Sequence, residues 1–307
     1  MEQINLNLEL DNVILGTNPF VGISHFSSQR GREVVKTMDR AKVVSIATAA
    51  LEAGADGISF SVSPLMTGML NDITCIGTNR TIGLYPIVPN TEIYASTLAD
   101  KGIVGLTGET LGAMSMSGKG KAILQGGLSL LTADPQRAIK AYVNMEINRL
   151  VRLVPPAGHL RTLLLHELAT DLGIALGARH LLKSYAEGVH ESGLIPGFVT
   201  RNLPKFVRFC DDAGISLAEA VVMTPWNSLG FQMTPTREQC EALVKSRTDL
   251  NIIAISILAA GRIELGSALS YIESFPVIRS VTVGVSSESQ ARETFSMIAK
   301  KTLHHNR

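Results

Sequence analysis

Short apolar runs alternating with helical segments constrain this chain more than any other feature. Val13-Ile14-Leu15 follows the turn chemistry of Asp11-Asn12, Ala41 to Glu52 has helical periodicity and stops at Gly54, and Gly57 to Phe60 is again apolar throughout. A strand that reads as a continuous apolar run is covered on both faces, which is the condition of a parallel sheet wrapped by helices. The same grammar returns in Leu160 to Leu165, a helix from about Ala178 to Glu191 ending at Gly193, and Leu194 to Val199. Ala220 to Met223, Ile252 to Ser256 and Val281 to Gly284 follow, each with a helix behind it. Thr234-Pro235 and Ser286-Ser287 supply two of the helix start signals.

With Ile82 to Tyr85 and Ile103 to Leu106 added, the strand count is one more than the eight of a (β/α)8 TIM barrel of about 250 residues. The surplus falls in a Gly-, Ser- and Met-rich stretch. Residues 103–134 are therefore expected to form an insertion between the third and fourth barrel strands, before Asp134-Pro135 opens a helix running to about Leu153. Gln3 to Leu10 alternates polar and apolar residues and reads as an N-terminal β-hairpin. No linker divides the chain, so one α/β barrel domain over residues 1–307 is expected. The alternative, a doubly wound open sheet, lacks its G-x-G-x-x-G turn at Gly16-Thr17-Asn18-Pro19-Phe20.

Hydrophobic residues make up 45% and charged residues 18%, enough apolar surface for a large core. With 28 Lys+Arg against 27 Asp+Glu and no basic block, nothing draws the chain to nucleic acid. Mean hydropathy is +0.21, yet runs such as Ala122 to Ala133 and Ile252 to Gly261 fall short of the about 20 residues of a membrane span. The start MEQINLNLEL lacks a basic region and a continuous apolar stretch, so a cytoplasmic place is expected. Cys75, Cys210 and Cys240 match no disulfide or zinc pattern and read as buried free thiols. Homo-oligomerisation is left open.

In a barrel, the carboxyl ends of the strands and the loops after them carry the reactive groups. That narrows the polar candidates to Asn18, His25, Ser59, Ser61, Ser63, His166, Glu167, Arg201, Asn202, Asn227 and Ser256. His166 is the first choice for acid/base work at neutral pH, against the plainer role of a histidine satisfied by a nearby carbonyl. Glu167 is its candidate partner, provided the strand has ended by then, because adjacent strand residues face opposite ways. His25 lies in a long loop with Arg30 and Arg32 that reads as a lid or as ordinary surface. Arg201 suits a bidentate clamp on a carboxylate or phosphate, or a surface ion pair. Trp226 offers an apolar wall beside Asn227. Gly284-Val285-Ser286-Ser287 opens a helix whose free N–H groups and positive dipole end would receive an anion. A metal reading joins His25, His166 and Glu167, but no spacing such as HExxH enforces it and no metal is assigned. No activating motif surrounds Ser59, Ser61 or Ser63.

Several segments, in order, resemble the aldo/keto reductase superfamily of barrel enzymes. LRTLLLHE (Leu160 to Glu167) resembles that family's fourth strand ending in histidine, and GFVTRN (Gly197 to Asn202) its fifth. VVMTPWN (Val221 to Asn227) resembles the sixth, AISILAAGRI (Ala254 to Ile263) the seventh, and VTVGVSSESQARE (Val281 to Glu293) the eighth with its phosphate-binding helix. The resemblance covers about residues 3–61 and 135–299. It implies NADP lying across the barrel's C-terminal face, Gln290 and Glu293 near the nucleotide, and carbonyl reduction by an Asp, Tyr, Lys and His tetrad. Only His166 matches that tetrad. GISFSVSPL puts Ser59 or Ser61 near the Asp and Pro64 near the Tyr, and TIGLYPIVP ends in Ile87, Val88 and Pro89 where the Lys belongs. Met223 and Ile255 replace a Gln and a Tyr of the nicotinamide site, while Asn202 survives.

The expectation is thus a divergent enzyme on an aldo/keto-reductase-like barrel. His166 would do acid/base chemistry on a small polar or anionic substrate, phosphorylated or carboxylated, with lyase, isomerase or hydrolase chemistry favoured over standard reduction. One rival is an NADP-dependent oxidoreductase with Tyr85 or His25 as substitute proton donor. The other is a catalytically inactive ligand-binding barrel.

Overall fold

The computed structural model describes residues 8–21, 38–74, 81–89, 134–154 and 157–302. Nine strand segments form one sheet: β1 (Val13–Gly16), β2 (Gly57–Ser61), β3 (Ile82–Val88), β4 (Gly158–Leu160), β5 (Thr162–Leu165), β6 (Ile195–Val199), β7 (Val221–Pro225), β8 (Ile252–Ile255) and β9 (Ile278–Gly284). Every pairing is parallel, β9 returns to β1, and β2 pairs with β3, so the sheet closes on itself. β4 pairs with the start of β3 and β5 with its end, so the two are pieces of one stave interrupted at Arg161. Nine segments less that one division give the eight staves of a TIM barrel.

The helices follow the staves: α1 (Arg40–Glu52), α2 (Pro64–Thr74), α3 (Pro135–Leu153), α4 (Glu167–Ala175), α5 (Arg179–Glu191), α6 (Leu203–Ala213), α7 (Arg237–Ser246), α8 (Leu265–Ile272) and α9 (Glu288–Thr302). Their starts obey local chemistry. Asp39 and Asp134 accept backbone N–H groups at the openings of α1 and α3, and Thr236 does so for α7. The start signal expected at Thr234-Pro235 therefore lies just ahead of the helix, with Thr236 as the cap. Within the expected hairpin, residues 8–12 form no strand, and 3–7 lie outside the described residues. The expected strand at Ile103 to Leu106, the insertion up to residue 133, Cys75 and His25 also lie outside them.

Alternation along each stave separates two cores. Val13, Leu15, Ile58, Phe60, Leu163, Phe198 and Val222 point outward and pack beneath the helices. Ile14, Tyr85, Leu164, Ile195, Val199, Val221, Met223 and Ile253 point inward and fill the lumen. The barrel is therefore a packed core and not a channel, and chemistry is confined to its ends. At the N-terminal end the segment before β1 folds underneath, with Leu8 and Leu10 against the lumen residues. Asp11 enters between β2 and β3. Its carboxylate accepts the Tyr85 hydroxyl at 2.7 Å, its N–H donates to that same oxygen at 2.8 Å, and Arg161 lies 3.4 Å away. Gly57 and Gly83 make room: a Cβ on Gly83 would lie 1.6 Å from Asp11 Oδ2.

Cys210 and Cys240 are buried free thiols, as expected. Burial pushes Cys210 up to about 12 and Cys240 up to about 11, so neither is a nucleophile near neutrality.

Candidate active site at the barrel mouth

β5 ends at Leu165 and α4 begins at Glu167, so His166 is the hinge between strand and helix. Its N–H donates to Val88 O at 2.7 Å, which ties it to the end of β3. Its ring acts as the helix cap: Leu168 N–H donates to Nδ1 at 3.1 Å. A ring nitrogen that accepts carries no proton, so the neutral imidazole is protonated on Nε2. Burial lowers the pKa of His166, Glu167 opposes that shift, and Arg201 adds to it. The result is a neutral imidazole whose proton sits on Nε2.

This state has a stability signature. Below the ordinary histidine value of 6.5 the unfolded chain binds a proton that folded His166 resists. The contribution is complete above that value and is lost as pH falls through the interval down to the lowered folded pKa. His166→Asn keeps a capping acceptor and cannot titrate. Urea midpoints measured at about pH 7.5 and about pH 5.5 should differ less in this variant than in the wild type. An unchanged difference would mean that His166 does not titrate abnormally.

Glu167 acts on that imidazole through its charge, while its hydrogen bonds go elsewhere. The strand has ended, as the expectation required, but the carboxylate turns to Arg201, whose Nε donates to Oε2 at 3.0 Å and whose Nη2 lies 2.8 Å from Oε1. This two-pronged pair occupies the fork that was expected to clamp a substrate. Asn202 caps α6, accepting Lys205 N–H at 3.1 Å on Oδ1. Asn227, only 1% exposed, spends its amide on its own loop and the loop after β8, donating to Phe231 O and Ser256 O and accepting Phe231 N–H. It orients backbone, not substrate. Trp226 is fully buried edge-on against Phe275, 4.9 Å between ring centres.

Ser256 has left-handed backbone at φ 53° and donates to Gln232 Oε1 at 3.2 Å. Gln232, Ala259 and Ala260 are also left-handed, so the loops after β7 and β8 hold strained backbone at the rim. Asn18 is exposed on the turn after β1. Ser63 accepts Met66 N–H at the start of α2, and Ser59 is buried within β2. Tyr85, considered as a substitute proton donor, is bound to Asp11 at the opposite end of the barrel. Burial, then the Asp11 charge, drives its pKa far above the ordinary phenol value, so that role is removed.

On the far side, β9 lies four staves from β5. Gly284 packs against Pro19, where a Cβ would lie 2.8 Å from Cγ. Gln290 Oε1 takes Ser286 N–H at 2.9 Å, and Ser287 Oγ takes Gln290 N–H at 3.2 Å. Glu288 stands in the first turn of α9 and accepts a hydrogen bond from Ser45. The helix start expected to receive an anion thus has two of its backbone donors, Ser286 N–H and Gln290 N–H, satisfied internally and a carboxylate already at its positive end. His166, Arg201 and this helix start do not gather in one hollow. A hollow of about 230 Å³ borders Arg201 and is lined by Asp171, Ile174, Arg201, Asn202, Lys205 and Thr234.

No family model matches the chain, and no curated protein matches it in sequence. Solved structures do match it in shape. A Pseudomonas aeruginosa protein described as an aldo-keto reductase superposes with TM-score 0.58 at 12% identity, over 97% of this chain and 93% of its own. An aldo-keto reductase from Bacillus halodurans, in holo form, gives 0.50 at 14% over 86% and 87%. A glycerol dehydrogenase from Gluconobacter oxydans gives 0.50 at 11% over 95% and 90%. The fold is that of the aldo-keto reductases.

Within that fold the positions expected to carry the tetrad hold Ser59 and Ser61 on the second stave with Pro64 opening the helix behind it, and Ile87 and Val88 on the third with Pro89 just beyond it. Met223 and Ile255 belong to the apolar lumen. Among the described residues no group of His, Cys, Asp and Glu side chains is placed to hold a metal ion. No described helix is long and apolar enough to cross a membrane.

Sequence reasoning missed Asp171, Lys205 and Thr234. The signal for Lys205 was available: Asn202-Leu203-Pro204-Lys205 is a cap, a proline in the first turn and a cation at the positive end of a helix. Asp171 gave no signal, because its partner Thr200 lies in another element.

Proposed function

We propose that this protein is an enzyme acting at the C-terminal mouth of its barrel on a small polar or anionic carbonyl compound, with His166 as a neutral hydrogen-bond donor. The observation that carries the reading is the Leu168 N–H to Nδ1 bond, which leaves the ring proton on Nε2. A neutral imidazole with lowered pKa donates to a carbonyl oxygen as negative charge develops there, without first having to lose a proton. That is an electrophilic role, and it replaces the general-base role, since neither nitrogen keeps a free lone pair. It suits lyase or isomerase chemistry, where charge builds on a carbonyl oxygen.

NADP, implied by the fold, does not fit the described residues. The phosphate end meets the Glu288 carboxylate and a helix start closed by Gln290 and Ser287. The ring end meets Met223 and Ile255, which offer no hydrogen bond to a carboxamide.

The test is a turnover screen of small aldehydes, ketones and sugar phosphates, with NADPH binding followed by its fluorescence. Turnover without nucleotide, reduced about 100- to 1,000-fold in His166→Asn with the circular dichroism spectrum preserved, is expected. Saturable NADPH binding with hydride transfer would replace this reading with a reductase. A fully active His166→Asn would remove His166 from the chemistry.

A further inference from the structure

We propose that the hollow between α4 and α6, outside the lumen, binds a small oxyanion such as a phosphate or carboxylate group, held by Lys205, the Asn202 amide and Arg201. It goes beyond the role given to His166, which is not among the lining residues.

The argument begins with donors. Asn202 uses its carbonyl oxygen to cap α6, so both Nδ2 protons remain unassigned among the described residues. Arg201 spends Nε and Nη2 on Glu167, and Nη1 makes no hydrogen bond among them. Lys205 is exposed and its ammonium has no carboxylate partner among them. Three donor groups from one strand-to-helix turn therefore border a single hollow of about 230 Å³, room for a phosphate.

The charges point the same way. Lys205 occupies the first turn of α6, which holds no acidic residue, so its cation sits against the positive end of the dipole. An anion in the hollow relieves both. The Glu167 carboxylate is neutralised by Arg201. Asp171 also lines the hollow, but its oxygen is taken up in the wall: Thr200 Oγ1 donates to Oδ1 at 2.6 Å, and Thr200 in turn accepts Asn202 N–H at 3.1 Å. Burial raises the Asp171 pKa, and its bonds to Thr200 and the Arg201 N–H oppose that shift. Asp171 therefore braces the turn that presents the donors. Ile174 and Thr234 close the sides.

The experiment is calorimetric titration of the full chain with inorganic phosphate and, separately, with acetate, at constant ionic strength in chloride. Saturable binding of one or both, with a Kd of about 1 mM or tighter, is expected. Asn202→Asp retains an oxygen to cap α6 while removing the amide protons, and Lys205→Glu reverses an exposed charge. Each should weaken binding about tenfold or more. Lys42→Glu, on α1, should not. Phosphate alone, acetate alone or both binding in this pattern upholds the site and names its preference. No saturable binding of either, or binding indifferent to Asn202→Asp and Lys205→Glu, overturns it. His166→Asn should titrate like the wild type, so failure of this site and failure of the His166 reading are distinguishable.

Discussion

Asp11→Ala should lower the free energy of unfolding by about 3 kcal/mol, read from urea denaturation. The carboxylate is the shared acceptor beneath the barrel, and removing it strands two groups at once. The Tyr85 hydroxyl is fully buried and loses its acceptor at 2.7 Å. Arg161, one-fifth exposed, keeps among the described residues only Glu9 at 3.6 Å, whose side chain is 65% exposed and correspondingly screened. Water reaches the guanidinium in part, which keeps the loss at the lower end of what breaking a buried pair costs. Tyr85→Phe should cost less, about 1 kcal/mol, because it removes one hydroxyl and leaves the ion pair.

Gly83→Ala provides the internal check. The added Cβ falls 1.6 Å from Asp11 Oδ2 and 3.1 Å from the Tyr85 ring, so the carboxylate must leave. If eviction of Asp11 is the whole effect, the Gly83→Ala, Asp11→Ala double variant should be only slightly less stable than either single variant. Additive losses would show that the crowding falls on the backbone of β3 and not on the plug.

This plug also explains how far the barrel could be read from sequence. The staves were legible because inward and outward faces are both buried, so Val13 to Leu15, Gly57 to Phe60 and Val221 to Met223 read as unbroken apolar runs. Helix starts were legible from Asp39 and Asp134, whose effect is local. The break in the fourth stave was not. Arg161 sits inside LRTLLLHE, and its reason for being there is Asp11, 150 residues earlier. Residues 8–12 alternate like a strand because Leu8 and Leu10 meet the lumen floor while Glu9 and Asp11 meet Arg161, a pairing of side chains and not of backbone.

The mouth divides on the same principle. His166 was legible from its place at a strand end, and its Nδ1 partner is two residues away. Glu167 beside it suggested a catalytic couple, since adjacency is visible in a sequence and the competing Arg201, 34 residues on, is not. Asn202 and Asn227 are polar residues at strand ends, which is where ligand groups belong. They are also where helix caps and loop clamps belong, and a polar amide serves either use. For Asn202 the following Leu203-Pro204 favoured the cap, though only the carbonyl half of the amide is used there.

Phe198→Ala should be among the costliest single truncations in the core, about 3–5 kcal/mol. Phe198 stands near the carboxyl end of β6, fully buried and facing outward. Tyr185 of α5 meets it edge-on at 5.5 Å between ring centres, and Phe206 of α6 lies tilted at 5.2 Å. Neither neighbour can collapse freely into the space. Tyr185 is anchored by its hydroxyl to Leu163 O at 2.7 Å, and Phe206 is carried on a helix whose first turn is fixed by the Asn202 cap. A void bounded by pinned walls keeps its volume, and the lost contacts add to the lost transfer energy. Phe198→Leu, which retains most of the volume, should cost less than half as much. A loss under about 1 kcal/mol for Phe198→Ala would mean that α5 and α6 shift to close the gap. In that event the β6–α6 turn carrying Arg201 and Asn202 is not rigidly held, and phosphate affinity should fall together with stability in the same variant.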